Sequence, residues 1–340
     1  MDGRLIARML AEPGSTAGLD AAGWTALLTM ARAEQLLGSL AHRLEDVDVP
    51  AAVRPILADA RAAAAQSGRA ARWEAEMARR ALAPLGVSVV LLKGAAYHAA
   101  GLDAAAGRFV GDLDILVPWA ALGEVERALC GAGWSWVKDD PYDDAYYRRW
   151  MHELPPLIHA ERDAMIDVHH TILPPTARPT PDAAALLADS VVVDGGVAVL
   201  SREDMVVHAA LHLFADGDLA GGLRNLWDID RLLRQFAVDE EFWARLQARA
   251  LRHEALPAVL RAGRQAHALF GTPLPEGWRV WDSWDPLFAR RLTARDGWGR
   301  TTRPGTRFAC YVRSHWLRMP SAMLARHLWI KWRRGAPASG

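Results

Sequence analysis

Cysteine is scarce: Cys130 and Cys310 are the only two, and neither belongs to a CxxC pair. That excludes a disulfide scaffold and a thiolate zinc site, and it fits a chain working in a reducing cytoplasm. Long apolar runs are missing as well, since no window approaches the roughly 20 continuous apolar residues of a spanning helix. The opening residues, Met1-Asp2-Gly3-Arg4, lead into a short mixed segment without a long apolar stretch or a small-residue cleavage site. No secretory signal is visible there, and a cytoplasmic location is expected. Internal repeats and low-complexity tracts are absent beyond a general bias toward alanine and arginine. Acidic residues disappear after Asp296, whereas nine bases follow it: Arg300, Arg303, Arg307, Arg313, Arg318, Arg326, Lys331, Arg333 and Arg334. The whole chain holds 40 bases and 40 acids, so 31 bases face 40 acids before that tail. An acidic body carries a basic end, a polarity that the zero net charge hides.

What is present describes a large globular chain of 340 residues, 51% hydrophobic and 24% charged. From Ala21 to about Leu85 apolar residues such as Trp24, Leu27, Leu28 and Ala31 recur at three and four, which predicts helices. The aliphatic run Val87–Leu92 follows Pro84 and Gly86 and reads as a buried strand ending at Lys93-Gly94. A short helix over about 95–100 is expected next. Asp112–Val117 then alternates polar with apolar residues, a strand with both aspartates on one face. Residues 119–132 carry a helical stripe of Leu122, Val125, Ala128 and Leu129. Leu157–Ala160 and Met165–His169 flank a charged turn and predict an antiparallel hairpin. Val191–Val199 reads as a second hairpin around Gly195-Gly196, after a Pro-rich linker over 173–181. From Ser201 onward the pattern is almost wholly helical, opening on a cap and early acids.

The chemistry concentrates between Lys93 and His169. Two carboxylates at i and i+2 of a strand point the same way, with Cα atoms about 7 Å apart, so Asp112 and Asp114 can converge on divalent ions. A pair of Mg²⁺ ions roughly 4 Å apart, with Mn²⁺ as a substitute, needs further oxygen ligands and predicts a third carboxylate on a neighbouring strand. Asp167 is the best candidate, because it sits between Ile166 and Val168, where an unpaired charge is costly.

Leu91-Leu92-Lys93-Gly94, Arg108, Gly111–Val117 and Ile166–His169 together resemble the uncharacterised bacterial nucleotidyltransferase family of the DNA polymerase β-like superfamily. The likeness extends through Glu203-Asp204, His208, His212 and Leu223-Arg224 to Asp228, covering about 87–233. It implies an α/β (α+β) fold: a nucleotidyltransferase core with a mixed sheet over 83–200, an N-terminal helical region over 1–82, and a C-terminal helical domain with the basic tail over 201–340. It also implies transfer of a nucleoside monophosphate from an NTP to an acceptor hydroxyl, with release of pyrophosphate. In that reading Asp112, Asp114 and Asp167 are catalytic and hold the metals, Lys93, Gly94, Ala95 and Arg108 bind the nucleotide, and His169 supports Asp167 by hydrogen bonding. Superfamily members usually carry Gly-Gly or Gly-Ser at the turn, whereas here Gly94 is followed by Ala95 and Ala96, so the hydroxyl is missing. Backbone N–H groups and Lys93 remain as phosphate donors. The acceptor stays open among a small molecule, a protein side chain and a tRNA end, and there are two alternatives: a non-catalytic nucleotide- or protein-binding module on the same fold, and an RNA (tRNA) nucleotidyltransferase using the basic tail.

Several features have plainer readings. Lys93 also reads as a surface lysine at a strand end, and Arg108 as a neutraliser of nearby acids. His169 and His170 point to opposite faces of a strand and cannot readily share one ion. His208 and His212, one helical turn apart, read as a packed pair, since neither an HExxH glutamate nor a nearby cysteine accompanies them. Arg224 and Asp228, at i and i+4, read as a helix ion pair. In the tail over 300–334, Trp316, Trp329 and Trp332 alternate with arginines, a mixture suited to nucleic acid or anionic lipid. Packing of this tail on the acidic body is the favoured alternative.

Overall fold

Alanine-, leucine- and arginine-rich segments before residue 83 form the helices expected of them. They are α1 (Arg4–Ala11), α2 (Ala21–Ala33), α3 (Leu37–Arg43) and α4 (Arg54–Leu82). The computed structural model describes residues 2–138, 147–215, 218–318 and 329. The buried face of α4 is lined by small residues, among them Ala64, Ser67, Gly68, Ala71 and Ala75, which lets the helix lie close against its neighbours. A Cβ on Gly68 would come within 2.4 Å of the His98 ring. Ser67 both donates to Val110 O (2.8 Å) and accepts from Val110 N (2.7 Å), fixing the chain just before the Asp-x-Asp strand.

Next come β1 (Val90–Leu91), α5 (Lys93–Ala99), β2 (Asp112–Leu116), α6 (Leu122–Gly131), β3 (Trp134–Trp136), β4 (Leu157–His159), β5 (Met165–His169), α7 (Ala183–Ala188), β6 (Val191–Val192) and β7 (Ala198–Val199). The strands form one mixed sheet in the order β3-β4-β5-β2-β1-β7-β6. Both expected hairpins are present, β4 with β5 and β6 with β7. The first strand is shorter than its apolar run, because β2 and β7 each pair with only Val90 and Leu91. The helix after it starts two residues earlier than expected, at Lys93, whose φ of 48° turns the chain sharply out of the sheet.

The remainder is helical: α8 (Arg202–Ala215), α9 (Gly222–Phe236), α10 (Phe242–Arg252), α11 (Leu256–Phe270), α12 (Asp285–Leu292) and α13 (Pro304–Arg318). Ser201 caps α8, accepting from Asp204 N at 3.2 Å. Buried apolar residues from Ile6 to Cys310 make one contiguous core, and α1 packs on α11, so the chain's first helix leans on its last third.

The described part of the basic end docks on the body. Arg303 pairs with Asp2 at 3.2 Å, Arg307 pairs with Asp218 at 2.5 Å, and Arg313 donates to Phe214 O. Arg178 lies over Trp316, 3.7 Å from the ring centroid. Arg326, Lys331, Trp332, Arg333 and Arg334 lie outside the described residues. Among the described residues no helix is long and apolar enough to cross a membrane.

Candidate active site

Strands β2 and β5 run parallel, and their register sets Asp114 opposite Asp167. Asp112 lies two residues before Asp114 and therefore on the same face. One carboxylate oxygen from each of the three lies within 4.8 Å of the others, as the sequence led us to expect. Their burial is graded: Asp112 is exposed, Asp167 is partly covered and Asp114 is buried. The group is thus open to solvent at its Asp112 end.

The charges around these acids are uneven. Asp114 accepts from Lys93 Nζ at 2.6 Å and meets His169 Nε2 at 2.9 Å. Burial opposes its ionisation, but the ammonium and the imidazole outweigh that and hold its carboxyl well below the usual range. Asp167 has no such help. Among the described residues no side-chain hydrogen bond or ion pair reaches Asp112 or Asp167. Burial, with Asp114 and Glu153 close by, pushes the Asp167 carboxyl up to about 7. Like charges held this close, with only oxygen donors, fit a hard divalent cation such as Mg²⁺.

His169 is the first correction. Its ring was assigned to Asp167, but it bonds Asp114 and turns its other nitrogen to Glu153, 3.3 Å away. Leu116 is the residue opposite His169, so the ring reaches Asp114 diagonally across the two strands, on the face that both side chains share.

The residues assigned to the nucleotide divide into two groups. Lys93 reaches the acids, so its charge works inside the site, where Asp114 raises its pKa against the effect of burial. Arg108 points elsewhere. Buried beside Tyr97, it donates from Nε to Asp228 at 2.9 Å, linking the stretch before β2 to helix α9. The neutralising reading of Arg108 is therefore the one its contacts display. Gly94 and Ala95 are both buried, and a Cβ on Gly94 would fall 1.9 Å from Arg108 Nη1. Glycine at 94 makes room for that guanidinium.

The expected Arg224–Asp228 ion pair is not formed, because Asp228 is held by Arg108. Arg224 instead donates to Gln35 and Asn225, and its buried Nε has no partner. It lines a narrow cavity of about 20 Å³ together with Lys93, Tyr97, His208, His212 and Asp228, which is space for about one water. Burial and the nearby Lys93 push His212 down to about 3, so its ring is neutral. A roomier cavity, about 790 Å³, is lined by Arg72, Glu76, Arg79, His98 and Asp194 and contains none of the three acids. Size is a poor guide here, and the acids define the site.

Three residues were missed by sequence reasoning. His152 and Glu153 lie in a mixed stretch without periodicity, and Arg224 was read as the partner of Asp228 in a helix ion pair. Only the unmet buried polar atoms of His152 and Arg224 signal them, and that signal exists in the fold alone.

Among curated proteins none matches the chain. Over residues 20–271, however, it matches a family described as uncharacterised nucleotidyltransferase, a span wider at both ends than the 87–233 that carried the resemblance. With a mixed sheet that gathers Asp112, Asp114 and Asp167, and with that match over most of its length, the chain belongs to the uncharacterised nucleotidyltransferase family.

Proposed function

We propose that the chain transfers a nucleoside monophosphate from an NTP to an acceptor hydroxyl in a reaction dependent on Mg²⁺ or Mn²⁺. The observation that carries this reading is the convergence of the Asp112, Asp114 and Asp167 carboxylates within 4.8 Å across two parallel strands. Those three residues would hold the metal, two ions in the fullest form. Bound there, Mg²⁺ supplies charge neutralisation for the triphosphate and the departing pyrophosphate.

The chain's own residues do the rest. The acceptor oxygen bonds to the α-phosphorus, the bond to the β-phosphate oxygen breaks, and pyrophosphate leaves. Asp167, beside Asp114 on the neighbouring strand, is placed to take the acceptor's proton. Lys93, now on Asp114, is within reach of a phosphate once the acids have another cation to hold. Arg108 acts at one remove, keeping Gly94 and Ala95 in place through Asp228. The work is mostly positioning and electrostatics, as in other phosphoryl transfers.

Each labelled NTP, incubated with the chain, Mg²⁺ and a cell extract, should leave label on one acceptor fraction with matching pyrophosphate release. Turnover retained in both Asp112→Asn and Asp114→Asn excludes this site. A second reading, nucleotide binding without turnover, is favoured by the hydroxyl-free Gly94-Ala95-Ala96 turn and by Arg108 lying over Gly94. Calorimetric binding of NTP without pyrophosphate release identifies it.

A further inference from the structure

The geometry points to a second metal site, formed by His152, Glu153 and His169 and suited to a borderline divalent cation such as Zn²⁺. Residues 152–154 lie antiparallel along the end of β5: Glu153 pairs with His169, Leu154 N donates to Val168 O and His170 N donates to His152 O. This pairing puts Glu153 and His169 on one face. The rings of His152 and His169 stand 5.2 Å apart, tilted by 34°. One donor atom from each of the three residues lies within 4.8 Å of the others.

The hydrogen bonding of His169 carries the argument. Its Nε2 meets Asp114 Oδ1 at 2.9 Å, and a carboxylate only accepts, so Nε2 must be the protonated nitrogen. In a neutral ring Nδ1 is then a lone pair, buried, without a hydrogen-bond partner and 3.3 Å from Glu153 Oε2. His152 Nε2 lies 3.8 Å from the same oxygen, and its Nδ1 is also buried without a partner. Converging lone pairs repel unless a cation lies among them. Two imidazoles and a carboxylate form a known zinc donor set, unlike the all-oxygen group of Asp112, Asp114 and Asp167. Asp114, bonded to the far nitrogen of His169, would then be the outer carboxylate that orients a metal-ligating histidine. The second ion thereby sets the ring that sets Asp114. None of this depends on the transfer reaction.

The full chain, stripped with EDTA and dialysed into excess Mg²⁺, is titrated with Co²⁺ and then with Zn²⁺. One equivalent of Co²⁺ should bind with the intense visible bands of a low-coordinate site, and Zn²⁺ should displace it while Mg²⁺ does not. His152→Ala and Glu153→Gln should each weaken binding by about tenfold or more, with circular dichroism unchanged. His152→Asp should restore part of it, and Asp112→Asn should leave it intact. The proposal is overturned if the wild-type chain binds no Co²⁺ or Zn²⁺ in excess Mg²⁺. It is overturned equally if binding survives His152→Ala, which would place the ion at His208 and His212, or is lost with Asp112→Asn, which would place it on the acid triad. His169 protonated at both nitrogens, bridging Asp114 and Glu153 without a metal, gives the first of these results.

Discussion

Buried acids occur in two parts of this molecule and are treated in opposite ways. In the helical half each has arginine partners: Asp204 has Arg249 and His253, Asp230 has Arg231, Arg234 and Thr272, and Asp285 has Arg264 and Arg261. On the sheet face, Asp112, Asp114 and Asp167 crowd together with Glu153 beside them, and the described ion pairs there fall on Asp114 and Glu153. Compensated acids hold helices together, whereas on the sheet face only Asp114 of the three aspartates has an ion-pair partner among the described residues. The same residue type is structural where arginines surround it and, in the function proposed above, a metal ligand where other acids do.

The comparison breaks most visibly if one partner is removed in the helical half. Asp285→Ala leaves the buried Arg261 and Arg264 sharing only the more exposed Asp282 and should cost about 3–5 kcal/mol in urea unfolding. At the sheet face the loss should fall on activity instead. Asp112→Asn should cut pyrophosphate release by about 100- to 1,000-fold, comparable with losing one preorganised charge-stabilising group, while the unfolding midpoint holds. Asp167→Asn should even stabilise the EDTA-treated chain, by about 2 kcal/mol at pH 8 once solvent screening is allowed for. The sign follows from a folded-state pKa near 7 against an ordinary 3.8. Between those values the folded chain keeps a proton that the unfolded chain has lost, so wild-type stability falls as pH rises through this window. The gain from Asn is therefore absent below about pH 4 and complete above about pH 7. A smaller effect should appear in Mg²⁺ affinity, which should rise by up to about tenfold per pH unit below pH 7 and level off above it, as read by calorimetry. Gly94→Ala should cost about 1–3 kcal/mol from the clash with a guanidinium that Asp228 holds in place.

The division between what could be read in advance and what could not follows sequence distance. Asp112 and Asp114 were legible because alternation with Leu113 and Ile115 is a local signal, and Asp167 because a charge between Ile166 and Val168 needs a reason. Two strands, both hairpins and the helical texture on either side follow from short-range periodicity as well. Register is not local. That Asp114 faces Asp167, and that His169 comes within diagonal reach of Asp114, depends on how β2 and β5 slide past each other. The bond between Arg108 and Asp228 spans 120 residues, and the nearer Arg224 looked like the natural partner because helical spacing is visible and tertiary distance is not. Glycine at 94 was legible from the turn it was expected to make, whereas the guanidinium of Arg108 that lies against it comes from tertiary packing.

Lys93 occupies a left-handed backbone position that suits glycine, and a residue with a side chain is strained there by about 1 kcal/mol. A Lys93→Gly chain would relax that bend and at the same time strip Asp114 of its ammonium. Comfort of the main chain and comfort of the carboxylate pull against each other at this one residue. The lysine resolves the conflict in favour of its tip, a tethered stand-in that can step aside for an incoming ion.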